Sequence, residues 1–303
     1  MKTIAIAGGT GFVGRHLAKK LVSLGHRVVV YSRSAKSGIG NLQYAVWDPA
    51  LQTMDAAPLK DVDAVVNLAG AGVVDKRWSD SRKREIISSR VDATHFLIEQ
   101  LRAHAPNCKT FIAASATGIY GPDKGGAPFK ETDPAFDDFL AQVCRDWEAA
   151  TLTAKAFYRT VIFRFGIVLG KDGGAYVQFA GPMKLGVMPI LGSGRQVVSW
   201  VHVSDISGMI VAAIEGDAYS GIYNAVAPAP VPHKELMKAI AKAKGGLKIP
   251  VPVPPFVLRI MLGESSIEVL KSCTVSAQKA QDAGYVFRYP TIEEAAKALE
   301  RKR

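Results

Sequence analysis

A run of glycines set between two kinds of periodicity constrains this chain more than any other feature. Thr3-Ile-Ala-Ile-Ala7 is short and apolar, and it passes at once into Gly8-Gly-Thr-Gly-Phe-Val-Gly14. Leu17, Leu21, Val22 and Leu24 then recur at helical spacing up to Gly25, and Arg27-Val-Val-Val-Tyr31 follows as a β-branched run. Strand, tight turn, helix and strand within ~30 residues form a βαβ unit, whose crossover is right-handed. Further apolar runs stand at 42–47, 62–69, 109–115 and 158–165, the later ones separated by helix-like stretches at 79–104 and 137–156. Strands alternating with helices predict an α/β fold: a mostly parallel sheet covered on both faces.

The texture changes after residue 166. Residues 170–200 are rich in Gly and Pro with little periodicity, 205–215 and 233–244 read as helices, and 245–256 holds four prolines and reads as an extended loop. Asp205 is placed to cap the first of those helices. Two more helices are expected near 255–262 and 291–301. The expected architecture is a Rossmann-like, doubly wound nucleotide-binding domain over 1–165, with a smaller C-terminal substrate lobe over 166–303.

Composition narrows the function classes. Of 303 residues, 48% are hydrophobic and 21% charged, which allows a sizeable core and excludes a disordered chain. No apolar run reaches the ~18 residues of a membrane helix. Three scattered cysteines, Cys108, Cys144 and Cys273, form neither a disulfide framework nor a ligand cluster, so a reducing cytoplasm and no metal site are expected. The net charge is +11, with 8 basic against 2 acidic residues in 1–60 and 13 against 7 in 228–303. That excess lacks the aromatic interleaving of a nucleic-acid surface and suits a phosphorylated small molecule. No nucleic-acid or membrane partner is expected, and the assembly is left open to a homodimer.

The glycine turn carries the first chemistry. Gly8, Gly11 and Gly14 allow a tight turn, close approach of a pyrophosphate and close packing of helix on strand, while Thr10, Phe12 and Val13 bring backbone N–H groups to the helix N-terminus. Cofactor choice follows at the end of the second strand, where an NAD site places an acid. Here stands Tyr31-Ser32-Arg33-Ser34, with no acid before Asp48. Arg33 suits a ribose 2′-phosphate by charge and fork geometry, and Ser32 adds a hydroxyl, so NADP(H) is the expected cofactor.

Three segments carry a family resemblance: the turn Gly8–Gly14, Asn67-Leu-Ala-Gly70, and Ser115-Ala-Thr-Gly-Ile-Tyr-Gly121. Together they resemble the extended short-chain dehydrogenase/reductases, the NAD(P)-dependent epimerase/dehydratase group. Lys76-Arg77-Trp78, Arg82-Lys83, Ser89-Arg90-Val91, Cys144-Arg-Asp-Trp-Glu148, Gly192-Ser-Gly-Arg-Gln196 and Ser199-Trp-Val-His-Val-Ser-Asp205 resemble an atypical subgroup of it. Its members are labelled only as epimerase family proteins, some as cell-division inhibitors. They end in a domain of unknown function, which residues 249–297 resemble. The resemblance implies that Leu68, Ala69 and Gly70 join the cofactor site.

The chain also departs from that family. A short-chain dehydrogenase uses Tyr-x-x-x-Lys on one helix, the tyrosine to exchange a proton and the lysine to hold the ribose. Aligning the family glutamate with Glu148 puts Leu140 in the tyrosine slot and Cys144 in the lysine slot. Tyr120-Gly-Pro-Asp-Lys124 has the spacing, but Gly121 and Pro122 break a helix. The asparagine of the family's Asn-Val-x-Gly-Thr pattern is replaced by Arg90. Substitute groups for the chemistry are Ser115 and Thr117, at the carboxyl edge where such sheets bind ligands, Tyr120 in the same loop, and His202. Alternation places Trp200 and His202 on one face, so the expected substrate cavity is walled by Ser115, Tyr120, Trp200 and His202. The plainer alternatives are a strand-end Ser or Thr bonded to backbone, an amphipathic wall tyrosine, and a core histidine bonded to Asp205. Arg77, Arg82, Lys83 and Arg90 form either a solvated helix face or contacts to an anion. Two functions therefore stand side by side: an NADP(H)-dependent oxidoreductase or epimerase on a small molecule, and a non-catalytic dinucleotide-binding regulatory or assembly factor.

Overall fold

The structure, a computed structural model, describes residues 1–301. The strands are β1 (Thr3–Ala7), β2 (Arg27–Ser32), β3 (Leu42–Asp48), β4 (Thr53–Met54), β5 (Ala64–Asn67), β6 (Thr110–Ala116), β7 (Arg159–Phe165), β8 (Ile167–Gly170), β9 (Gly173–Gly174), β10 (Val187–Leu191), β11 (Val197–Val198), β12 (Trp200–His202), β13 (Gly221–Ala225), β14 (Val231–Pro232) and β15 (Ile249–Val253). The helices are α1 (Phe12–Ser23), α2 (Asp80–Ser88), α3 (Val91–His104), α4 (Phe139–Leu152), α5 (Ala175–Met183), α6 (Val203–Glu215), α7 (His233–Lys244), α8 (Pro255–Leu262), α9 (Ser266–Leu270), α10 (Gln278–Asp282) and α11 (Ile292–Glu300).

The main sheet runs β13-β7-β6-β5-β1-β2-β3-β4, with every pair parallel except the short β3–β4 edge. The doubly wound α/β expectation therefore holds. Period-2 alternation splits β1 between two cores. Ile4 and Ile6 join Leu17 and Leu21 of α1 and Met209 and Ile210 of α6, whereas Ala5 and Ala7 join Phe96, Leu97 and Leu101 of α3. Burying both faces explains why these strands read as continuous apolar runs. The chain leaves β1 toward β2 on one side and returns to β5 on the other. That reversal opens the crevice in which such sheets bind ligands, at the strands' carboxyl ends.

The core extends past residue 165. β13 completes the main sheet beside β7, and α6 packs on the same face as α1. A third core joins Tyr176 and Met183 of α5, Trp200, Leu236 and Ile240 of α7, and Leu299 of α11. The proline-rich 245–256 stretch is not only loop: Ile249–Val253 pairs in parallel with Val187–Leu191. Prolines at 250 and 252 lack N–H groups, which a two-stranded edge tolerates. The helix expected across 79–104 breaks at Ser89 and Arg90, so Arg82 and Arg90 stand on two helices rather than along one face. No helix among the described residues is long and apolar enough to cross a membrane.

Candidate cofactor and substrate site

The glycine turn closes the reversal point from one side. Gly8 has φ +74°, and a Cβ there would lie 2.8 Å from the backbone of Leu68 and Ala69. Gly14 is packed against the turn itself, since its Cβ would lie 2.5 Å from Gly9 Cα. Both glycines are required by the protein's own backbone. Gly11 is different: it is exposed, and its Cβ would meet only Gly8 O, at 3.2 Å. The space beside it is left for something other than protein.

α1 begins at Gly11 without a side-chain cap and without an acid in its first turn. Helices α2, α4 and α11 are capped by Ser79, Asp138 and Thr291. Unpaired N–H groups at a helix start, with no competing carboxylate, suit a phosphate. Thr10 lends its carbonyl to Arg15 Nη1 at 3.0 Å, and the Phe12 ring fills the space over Gly170, Gly173 and Gly174. Val13 packs against the main core. Opposite the turn, Ala69 N donates to Asn67 Oδ1, and the Asn67 amide donates to Thr94, which fixes the Leu68–Gly70 exit. At the end of β2, Arg33 is exposed and makes no ion pair within 4.0 Å among the described residues; its charge reaches Glu85 of α2. The Ser32 hydroxyl donates to Ser34 O at 2.6 Å, so its proton is spent on the loop and only its lone pairs remain to offer. These groups fit an NADP(H) dinucleotide: an open helix start, an exposed glycine whose only neighbour for a Cβ is Gly8 O, and an unpaired arginine where a 2′-phosphate would lie.

The expected catalytic constellation does not assemble. Ser115 is buried and donates to Glu148 Oε1 at 2.6 Å. Arg164 grips the same carboxylate through Nε at 2.8 Å and Nη2 at 2.7 Å, and reaches Tyr120 Oη through Nη1 at 2.8 Å. Tyr120 has no exposed surface, and its hydroxyl lies 2.8 Å from Asn224 Oδ1 and 3.0 Å from Lys130 O. Burial pushes its phenol up to about 12. Ser115 and Tyr120 are thus parts of a closed buried network, and neither walls a cavity nor offers a proton. Trp200 is fully buried in the third core with its indole N–H on Ala229 O. His202 caps α6: its Nδ1 accepts from Ser204 N at 3.1 Å, and its ring packs 4.3 Å from that of Tyr289. Burial, then the charges of His16 and Arg288, push it down to about 4, which leaves a neutral structural imidazole.

Asp205 neither caps α6 nor bonds to His202. Its carboxylate accepts from Arg288 N at 2.7 Å, Tyr289 N at 3.2 Å and Tyr285 Oη at 3.1 Å, tying the chain's tail to the core. Thr117 keeps its place at the carboxyl edge. It is half-buried, and its hydroxyl has no hydrogen-bond partner among the described residues. Leu140 and Cys144 face Gly118 from α4, at 3.7 and 4.0 Å from where its Cβ would be. Burial first, with the charge of Glu148 adding to it, pushes the Cys144 thiol up to about 12.

Glu268 and Lys271 are the functional candidates that sequence reasoning missed. Lys271 Nζ donates to Glu268 Oε1 at 2.7 Å and to Tyr120 O at 3.3 Å, with its side chain only 6% exposed. Burial raises the Glu268 carboxyl, opposed by Lys271. Lys271 lines a cavity of about 660 Å³ between Pro122, just past β6, and Arg259, Ser266, Leu270 and Ser272 of the C-terminal region. In sequence, Glu268–Lys271 is one more helical charge pair at three-residue spacing; only the tertiary contact with the 117–120 turn distinguishes it. Among the described residues no cluster of three or more His, Cys, Asp or Glu could hold a metal ion.

Comparison with known proteins matches two stretches of the chain, the first running past the expected boundary at residue 165. Residues 4–225 match the NAD dependent epimerase/dehydratase family, and residues 253–299 match a domain of unknown function, DUF1731. Epimerase family protein YfhF of Bacillus subtilis is 36% identical over 301 residues, covering 98% of this chain and 97% of that protein. The chloroplastic epimerase family protein SDR39U1 homolog of Arabidopsis thaliana is 34% identical over 305 residues, covering 98% of this chain and 86% of that one. The crystal structure of human epimerase family protein SDR39U1 (isoform2) with NADPH has a TM-score of 0.87 to this chain at 28% identity, covering 98% and 99% of the two.

Proposed function

We propose that this chain, which belongs to the NAD-dependent epimerase/dehydratase family, is an NADP(H)-dependent oxidoreductase or epimerase acting on a small molecule. The observation that carries the reading is the open edge at the reversal point: an uncapped, acid-free α1 start beside Gly11, flanked by the unpaired Arg33. A human relative crystallised with NADPH supports the choice of cofactor. Bound NADPH supplies a hydride. The chain's own part is to bind the dinucleotide through Gly11–Val13 and Leu68–Gly70 and to read its 2′-phosphate at Arg33. Thr117 at the carboxyl edge and Lys271, which lines the 660 Å³ cavity and is paired with Glu268, are the groups left to hold a proton. This moves acid–base work off α4, where Leu140 and Cys144 offer none.

The second reading, a non-catalytic NADP(H)-binding factor, rests on the same loss at Leu140 and Cys144 and on the closure of Tyr120. Titration calorimetry tests the shared part: NADPH should bind roughly tenfold or more tighter than NADH, and equal affinities would withdraw the NADP(H) assignment. Mass spectrometry of small molecules retained by the purified protein, followed by NADPH oxidation with each retained compound, separates the two. Turnover that falls in Lys271→Met with NADPH affinity intact supports the enzyme. A protein that binds NADPH but retains no compound it can turn over supports the binding factor.

A further inference from the structure

Around this cleft Arg82 and Arg164 are buried and Arg90 is half-buried. Arg164 has the Glu148 carboxylate in a two-pronged grip. Arg82 has Glu85 at 2.6 Å and Asp75 at 4.0 Å. Arg90 has no carboxylate within 4.0 Å among the described residues. Its Nη1 donates to Ile86 O at 3.0 Å, its Nη2 donates to Ala71 O at 2.9 Å, and its Nε–H meets no protein acceptor. The ring of Trp147 on α4 lies 5.1 Å from its Cζ. Burial lowers its pKa, and the like charge of Arg82 lowers it further. A half-buried guanidinium held in place by two carbonyls, with no counter-anion and an Nε–H still open, is placed to accept an anion from outside the protein.

Its position says what would bring it. Arg90 precedes α3 as its N-cap residue, and its Cζ lies 3.0 Å from where a Cβ on Gly70 would be. Gly70 continues the Leu68–Ala69 segment that abuts Gly8 of the glycine turn. On the other side the guanidinium lies 5.1 Å from the ring of Trp147 on α4, three residues along that helix from Cys144, the slot where the family's lysine would stand. Arg90 therefore spans the crevice from the β5 exit to α4, away from Arg33 at the end of β2.

We propose that Arg90 is a cofactor-binding residue that holds the nicotinamide half of the dinucleotide, through its ribose and adjoining phosphate, in place of the lysine missing from α4. The proposal rests on the NADP(H) reading above. An arginine suits the task, because its planar fork keeps two donors on protein carbonyls and still presents Nε–H and the remaining Nη–H groups to an anion.

The test compares two probes on the wild type, Arg90→Met and Arg90→Lys. NADPH carries the nicotinamide half; 2′,5′-ADP carries the adenosine half and the 2′-phosphate without it. Binding is followed by calorimetry for both and by nicotinamide fluorescence anisotropy for NADPH. Arg90→Met should weaken NADPH by roughly ten- to a hundredfold and leave 2′,5′-ADP within about twofold. Arg90→Lys should lose less NADPH affinity and leave 2′,5′-ADP equally unchanged. The lysine variant carries the test if the methionine variant does not fold. Equal losses for both probes would make Arg90 a general support of the cleft, and no loss for either would make it irrelevant to the cofactor; each overturns the proposal. A wild type that binds neither probe overturns the NADP(H) reading itself, which is a different outcome.

Discussion

Two helix starts on the same face of the sheet, α1 and α6, were built in opposite ways. α1 begins at Gly11 with no side-chain cap and no acid in its first turn. α6 begins at His202, whose Nδ1 accepts from Ser204 N, and the Asp205 carboxylate in its first turn is filled by two backbone N–H groups and a tyrosine hydroxyl from the tail. α3, α5, α7, α8, α9 and α10 also lack a side-chain cap; what sets α1 apart is that its bare start lies beside Gly11 at the reversal point of the sheet, a place that suits a phosphate. The same contrast separates Arg90 from Arg164: one guanidinium has no anion and the other has two prongs on Glu148. The bare α1 start, Arg33 and Arg90 border the crevice, whereas Ser115, Tyr120 and His202 are closed by protein partners.

The contrast is broken most forcefully at its closed end. Arg164→Met strands the buried Glu148 and should cost ~3–5 kcal/mol of stability in denaturant unfolding, while NADPH affinity of the folded fraction stays near wild type. A loss of NADPH binding without loss of stability would place Arg164 in the cofactor site instead. Arg90→Met should lower the melting temperature far less than Arg164→Met.

Acid is the next lever. Burial pushes His202 and His233 down to about 4, against ~6.5 in an unfolded chain. Between those values the unfolded state binds protons that the folded state refuses, so stability is lost as pH falls from ~6.5 toward 4, by roughly 3.4 kcal/mol per histidine at most. Unfolding followed across that window should show the slope, and His202→Asn should flatten its share of it. A slope unchanged in that variant would mean that His202 titrates normally.

At the open end, Arg33→Glu should reverse the cofactor order, costing NADPH ~1.5–3 kcal/mol, as read by competitive titration with NADH. The smallest effect is expected at Cys144→Ser. Its thiol is a packing group between α4 and Gly118, and any activity should stay within a few-fold. Complete loss in a folded Cys144→Ser protein would give that sulfur a role in the chemistry.

Legibility followed the range of the interactions. The strands at 42–47, 109–115 and 158–165 and the helix at 233–244 were readable because local periodicity encodes them, and the glycine turn because its needs are local too. Asp205 was misread because capping is a local habit, whereas its partners Tyr285, Arg288 and Tyr289 lie some eighty residues away. Trp200 and His202 do share a face, as alternation requires, but no period says whether that face meets a cavity or a third core. The break at Ser89 is equally invisible in the 82, 86, 90 spacing, which continues smoothly across it. Glu268 and Lys271 gain meaning only where the C-terminal region folds back onto Tyr120.

The most direct measurement titrates NADPH into the wild type, Gly11→Val and His202→Asn side by side, with unfolding curves for each. The missing Cβ of Gly11 has one close neighbour, Gly8 O at 3.2 Å, a tight contact that a shift of a few tenths of an ångström in the turn relieves; a valine variant that folds on that adjustment should lose NADPH binding. His202 is closed into the α6 cap, so the asparagine variant should bind NADPH as the wild type does. A folded Gly11→Val protein that still binds NADPH, or a folded His202→Asn protein that does not, would contradict the division between open and closed ends.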